Sequence, residues 1–219
     1  MPTPALQALL ANPPKLHLHP DGRLINDWRI DTTTALELDR RLKPGLNTLE
    51  SGAGFSTILF AEHGCGHTCI APDRDLLNRI RMYCTDHSIS TENIRFIDAS
   101  SIIVVPQLPE AAYDLALIDG CHGFPTAFVD FLYATRALRV GGTLIIDDLH
   151  IYTCRTIALY MRSDPAWRIE IFTKRVAFGV KLNETGGVYN EWMSQPFVQK
   201  RSTATSLMAK VCSRLGILY

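Results

Sequence analysis

Leu46-Asn-Thr-Leu-Glu-Ser-Gly-Ala-Gly-Phe-Ser-Thr57 is an apolar run that breaks into small residues and then resumes with helical spacing. That pattern predicts a strand, a tight turn and a helix. Glycine at 52 and 54 removes the Cβ atoms that would keep a ligand off the backbone, and the amides opening the next helix carry partial positive charge. Glu50, at the end of the strand, is placed to accept hydrogen bonds from a hydroxyl or to attract a cation.

Dinucleotides and S-adenosylmethionine both fit such a turn, and the spacing of the glycines separates them. A dinucleotide fingerprint requires G-x-G-x-x-G/A, whereas Gly52-Ala-Gly54-Phe-Ser-Thr57 has threonine at the third position. A carboxylate before the turn would repel a pyrophosphate but attract the amino group of a bound methionine. The stretch resembles the first motif of class I S-adenosylmethionine-dependent methyltransferases, written roughly E-x-G-x-G-x-S-T in one subfamily. The resemblance implies that Glu50, Gly52, Gly54, Ser56 and Thr57 bind the cofactor.

Outward from this turn, short apolar runs alternate with longer mixed segments. Leu46–Leu49, Thr68–Ala71, Ile94–Ile97, Leu115–Ile118 and Thr143–Ile146 read as strands, and Thr57–Glu62, Asp75–Cys84 and Pro125–Leu138 as helices between them. The alternation predicts an α/β fold: a doubly wound, mostly parallel sheet with helices on both faces. Ligand sites in such sheets lie at the C-terminal ends of the strands. Here those ends carry Glu50, Asp73, Asp98, Asp119 and the pair Asp147-Asp148.

The resemblance extends over residues 46–182. Tyr113-Asp-Leu-Ala-Leu-Ile-Asp-Gly-Cys-His122 and Leu138-Arg-Val-Gly-Gly-Thr-Leu-Ile-Ile-Asp-Asp148 are similar to the "fDlvfIDGdH … LkpGGvivvDD" pattern of small class I methyltransferases. Trp167–Phe172 and Arg175–Leu182 match the terminal hairpin that completes the family's seven-stranded, Rossmann-like sheet, with one strand reversed. The family's acid for the cofactor ribose is replaced by Ala71 in Ile70-Ala-Pro-Asp73. Asp73 either reaches the same ligand or caps the helix that follows. Asp98 matches the position beside the adenine, with capping of the strand-three turn as its other role.

The methyl group on a sulfonium is already activated, so such an enzyme must chiefly align a nucleophile and remove its proton. Asp119, Asp147 and Asp148 are hard oxygen ligands of the kind magnesium prefers. They resemble the acids of metal-dependent O-methyltransferases acting on catechols, caffeoyl-coenzyme A and macrolide sugars. In the sugar enzymes an Asp-x-x-His element supplies a metal ligand and the base, and Asp119-Gly-Cys-His122 matches it. The alternatives are a metal-free site and a His122 that only fixes its turn. His150 is a second candidate base, and His17, His19 and His87 read as ordinary surface or packing residues.

The chain as a whole is electrically balanced. Lysine plus arginine and aspartate plus glutamate number 22 each, so overall charge gives no argument for a nucleic-acid partner. No apolar run approaches a membrane span of about 20 residues, and Met1–Pro14 lacks the pattern of a secretory signal. The expectation is a soluble cytoplasmic protein. Six cysteines without C-x-x-C spacing read as reduced thiols. The alternation His63-x-Cys65-x-His67-x-Cys69 reads as turn and core rather than metal.

These features divide the 219 residues into a leader (1–45), a methyltransferase domain (46–182) and an extension (183–219). The leader contains a helix over Thr34–Leu42. The extension contains an amphipathic helix over Ser202–Leu215 that could pack on its own domain, form a dimer contact, cover the substrate or attach to a membrane surface. The expected function is methyl transfer from S-adenosylmethionine to a small-molecule hydroxyl, with or without magnesium. A catalytically inactive binding or assembly protein is the alternative, supported by Ala71, and an NAD-dependent oxidoreductase is the third, disfavoured by Thr57.

Overall fold

The computed structural model describes residues 1–26 and 28–215. In chain order they form α1 (Pro4–Ala11), β1 (His17–Leu18), β2 (Leu24–Ile25), α2 (Thr32–Arg41), β3 (Asn47–Ser51), α3 (Phe55–Glu62), β4 (Gly66–Ile70), α4 (Arg74–Asp86), β5 (Ile94–Ile97) and α5 (Ser101–Val104). The chain continues through β6 (Tyr113–Ile118), α6 (Thr126–Ala137), β7 (Leu138–Ile146), α7 (Tyr152–Ser163), β8 (Trp167–Phe172), β9 (Ala177–Lys181) and α8 (Pro196–Arg214). Seven strands make one sheet in the order β5-β4-β3-β6-β7-β9-β8. All neighbours from β5 to β7 are parallel, and β9 runs antiparallel to both β7 and β8.

The seven-stranded Rossmann-like sheet follows from strands that are apolar on both faces. Leu115 and Leu117 point into a cluster with Leu38, Phe55, Ile58 and Ile80, while Ala116 and Ile118 point into another with Phe131, Ile157 and Met161. Residues one apart on a strand face opposite sides, so β6 must be covered twice. The leader joins the first of these layers: Leu6, Leu9, Leu16, Ile30 and Leu42 share the cluster with α3. Thr3 and Asp31 accept the amides of Leu6 and Thr34 as N-caps of α1 and α2. Thr3 also donates its amide (2.8 Å) and hydroxyl (2.5 Å) to Asp39, which bonds His63 Nε2 at 2.9 Å.

Lys181 ends β9 buried, and its Nζ donates to the carbonyls of Thr135 (2.7 Å) and Leu138 (2.6 Å), in the last turn and at the C-cap of α6. Replacing it with methionine leaves both carbonyls without that donor in an apolar layer. Lys181→Met is expected to lose about 2 kcal/mol, equivalent to roughly 4–8 °C of melting temperature in a domain of this size. A thermal melt checks it, and an unchanged midpoint would refute the capping role.

All six cysteines are free thiols. Cys65 and Cys69 are packed in the core, and burial pushes both thiols up. His67 stacks on Phe60 at 4.2 Å between ring centroids and bonds Thr48 at 2.8 Å. The alternating His/Cys segment is therefore part turn and part core strand. Glu50, His67 and Cys69 do bring ligand atoms within 4.8 Å of one another, but all three are buried.

Candidate active site

A cavity of about 660 Å³ opens at the C-terminal ends of β3, β4, β6 and β7. The glycine turn forms one wall. Gly52 has φ +121, and a Cβ built there would lie 2.4 Å from the Asp119 carbonyl oxygen, so β3 and β6 approach each other only because this residue has no side chain. A Cβ on Gly54 would lie 3.1 Å from His17 Nε2, within the space between the turn and the leader.

The turn is held from behind. Glu50 is fully buried and accepts hydrogen bonds from the hydroxyls of Ser56 and Thr57, the latter at 2.6 Å. Thr57 Oγ1 in turn accepts the Gly54 amide at 2.9 Å. Neither Glu50 nor Thr57, both expected to bind the cofactor, lines the cavity. A carboxylate within reach of two local hydroxyls at the start of α3 satisfies them first. Gly52, Gly54 and Ser56 do line the cavity.

Just past β4, Ala71 and Asp73 both line the cavity. Asp73 Oδ1 caps α4 by accepting the Leu76 amide at 2.8 Å, and Oδ2 lies 3.7 Å from Arg79 Nη2. Capping and a place on the cavity wall thus coexist in one side chain. Asp98 does not line the cavity: its Oδ2 accepts from Arg74 Nε at 2.7 Å, and Ser100 and Ser101 take the cavity wall instead. A long guanidinium from the start of the preceding helix, α4, reaches this exposed carboxylate, which strand position alone did not reveal.

The far wall gathers Asp119, His122, Asp147, Asp148, His150 and Arg175. His122 Nε2 lies 3.2 Å from Asp148 Oδ2 and 3.9 Å from Asp119 Oδ1, and its Nδ1 lies 3.2 Å from Cys154 Sγ. Asp148 has φ +54, a strained left-handed conformation for a side-chain-bearing residue. Its amide donates to Asp147 Oδ1 at 2.8 Å, and its Oδ1 accepts from Arg175 Nη2 at 2.8 Å. Asp119, His122 and Asp148 bring ligand atoms within 4.8 Å of one another, so the group able to share one cation contains His122 in place of the expected Asp147. Asp147 is turned into the wall, where it holds the Asp148 amide.

Charge in this cluster is unevenly distributed. Burial works against the imidazolium of His122, but the hydrogen bonds to Asp148 and Cys154 outweigh it and push the ring up to about 10. The same contact with His122 holds Asp148 below the usual carboxylate range. Burial pushes Asp147 up to about 6, and burial together with Asp147 and Glu50 raises Asp119.

Asp148→Asn keeps the shape and left-handed preference while removing the charge. His122 is then expected to titrate well below 10, readable from its ring protons by NMR; an unchanged value would assign the shift to other groups. Because the folded-state value lies above the ordinary 6.5, the stability His122 contributes is fully present below 6.5 and lost as pH rises through about 10.

His17 and residues 28–30 line a part of the cavity that sequence reasoning missed. His17, Trp28, Arg29 and Ile30 line the cavity, correcting the reading of His17 as an ordinary packing residue. The rings of His17 and Trp28 lie 5.8 Å apart, and Arg29 Nη1 is buried without a hydrogen-bond partner among the described residues. No periodic pattern marks this segment, so only its docking against α3 could reveal it. Arg175, from the β8–β9 turn, was missed for the same reason. Trp192 does not line the cavity.

A mostly parallel sheet with one reversed strand, carrying a glycine turn and acids at its strand ends, defines the Rossmann-like methyltransferase architecture. Residues 49–149, from β3 to just past β7, match a family described as "Methyltransferase domain". Solved structures share the fold at low identity. They include a cofactor-bound protein from MTB (16% identity, 83% of this chain and 91% of that chain, TM-score 0.60). A provisionally named O-methyltransferase from Klebsiella pneumoniae is similar (18%, 84% and 92%, TM-score 0.59), as is a methyltransferase from Geobacter sulfurreducens (19%, 71% and 81%, TM-score 0.57). No curated protein matches the chain.

Proposed function

We propose that the protein transfers a methyl group from S-adenosylmethionine to a hydroxyl of a small molecule, with residues 46–182 as the catalytic domain. The observation carrying this reading is the convergence of the glycine turn and the Asp119/His122/Asp148 group on one cavity. The cavity residues fit the cofactor, since the bare Gly54 leaves a cradle beside His17 that a Cβ would fill.

S-adenosylmethionine supplies the activated methyl group, and a divalent cation held by Asp119 and Asp148, with His122 or Asp147 beside them, would lower the pKa of the acceptor hydroxyl. Glu50 acts at one remove, fixing Ser56 and Thr57 so that the turn keeps its shape. Asp73, Ser100 and Ser101 line the cavity where they would hold the nucleoside end, and Trp28 and His150 would border the acceptor. His122 is the base. While bonded to Asp148 it is protonated at neutral pH and cannot accept a proton; it becomes competent when the Asp148 charge is engaged elsewhere.

Calorimetric titration with S-adenosylmethionine, S-adenosylhomocysteine and NAD, with and without magnesium, tests the reading. Heat from the first two alone supports it, and a magnesium heat lost in Asp148→Ala supports the metal-assisted form. No heat from any of them would favour the inactive binding protein suggested by Ala71.

Ala71 also gives a gain-of-function prediction. Ala71→Glu restores a carboxylate on the cavity wall where the family pattern has one. A charge-assisted hydrogen bond to a ribose hydroxyl is expected to tighten S-adenosylhomocysteine about tenfold. Unchanged or weaker binding would show that Asp73 already occupies that role.

A further inference from the structure

Helix α8 contributes little to the core. Phe197 is buried against Tyr160 at 6.0 Å between ring centroids, but beyond Gln199 the helix runs almost wholly exposed, about 20 Å past its anchor. The face that Phe197 presents to the body continues outward as Ala204, Leu207, Met208, Val211 and Leu215. Leu207 is 63% exposed, Met208 51%, Val211 41% and Leu215 67%, so the stripe is uncovered. Tyr189, Trp192 and Met193 are exposed at its root.

Charge identifies what would cover it. Helix α8 and its neighbour α7 carry Arg155, Arg162, Lys200, Arg201, Lys210 and Arg214 and no acidic residue, in a chain with equal numbers of cations and anions. By helical spacing Lys210 and Arg214 flank one edge of the stripe. Two copies pairing through α8 would set these cations against their own images with no carboxylate on either helix to relieve them, and α7 of a second copy offers only Arg155 and Arg162. An apolar stripe edged by cations, with aromatic residues at one end, is the pattern of a helix lying in a lipid headgroup layer.

We propose that α8 docks the protein on an anionic phospholipid surface, with Leu207, Met208, Val211 and Leu215 entering the acyl boundary and Lys210 and Arg214 meeting the headgroups. Among the described residues no helix is long and apolar enough to cross a membrane, so the attachment is peripheral.

Flotation of the full chain with vesicles tests it. Vesicles of phosphatidylcholine with 30% phosphatidylglycerol should carry the protein and pure phosphatidylcholine vesicles should not, with the bound fraction falling as salt rises. K210E/R214E should weaken partitioning by roughly twentyfold or more, at about fivefold per cation lost. L207S/V211S should abolish it with both charges intact, and unchanged circular dichroism and melting temperature would show that each variant is folded. Equal flotation with both vesicles, no flotation, or flotation indifferent to either variant would overturn the proposal. So would light scattering showing a dimer that L207S/V211S converts to monomer without vesicle binding, or RNA retention lost in K210E/R214E without vesicle binding.

Discussion

Gly52→Val is expected to abolish S-adenosylhomocysteine binding and to lower the melting temperature by roughly 6–12 °C. Two costs combine at this position. The residue sits at φ +121, where a β-branched side chain is strained, and its Cβ would meet the Asp119 carbonyl at 2.4 Å. The oxygen belongs to the backbone of a strand end paired with β3, so it cannot swing aside as a flexible side chain would. Overpacking of this kind, with the backbone strain, costs about 3 kcal/mol. Relief requires β3 and β6 to separate where the turn and Asp119 converge, so binding falls along with stability. Gly22→Val is the control. Its φ is +85 but a Cβ there meets nothing within 4 Å, so it should show the strain cost alone and leave cofactor affinity unchanged. Equal effects at 22 and 52 would show that the close approach is unimportant.

His122→Ala should produce the opposite split. The ring is held by Asp148 and Cys154 at the far wall of the cavity, with Asp119 3.9 Å away. S-adenosylhomocysteine affinity is therefore expected to remain within about twofold, while kcat for a hydroxylated acceptor falls by about 10²–10⁴, the usual loss when a general base is removed. Asp148→Asn supplies the discriminating comparison, because it lowers the His122 pKa without removing the imidazole. If His122 were only a packing residue of its turn, alanine would cost stability and leave turnover intact. A loss of cofactor affinity matching the loss of kcat would point to collapse of the cavity wall rather than to a missing base.

Both variants address a site that was only partly visible in the residues. Asp119, His122, Asp147 and Asp148 are legible because parallel strands end on one edge of the sheet, and a period of two fixes which residues reach it. The choice of His122 over Asp147 as the third close ligand atom was not legible. It depends on the left-handed turn at Asp148 and on the Asp147 carboxylate accepting the next amide.

Glu50 illustrates the same limit. Its position at the end of β3 could be read directly, but its orientation depended on whether Ser56 and Thr57 would reach it before a ligand could. They do so because the first turn of α3 folds their hydroxyls back over the strand end. The leader gave still less notice: His17, Trp28 and Arg29 reach the cavity only because Leu6, Leu9, Leu16 and Ile30 pack onto α3.

The sequence by itself determined the alternation of strands and helices from residue 46, the parallel sheet it implies, and the edge of the sheet at which acids and glycines meet. These are consequences of local chemistry: hydrophobic period, turn residues and chain connectivity. Tertiary structure alone decided which carboxylates face the cavity, which are spent on hydroxyls, caps and guanidinium groups, and which distant segment closes the site. Those outcomes are competitions between partners far apart in the chain, and a hydrogen-bonding group takes the partner that packing brings within reach.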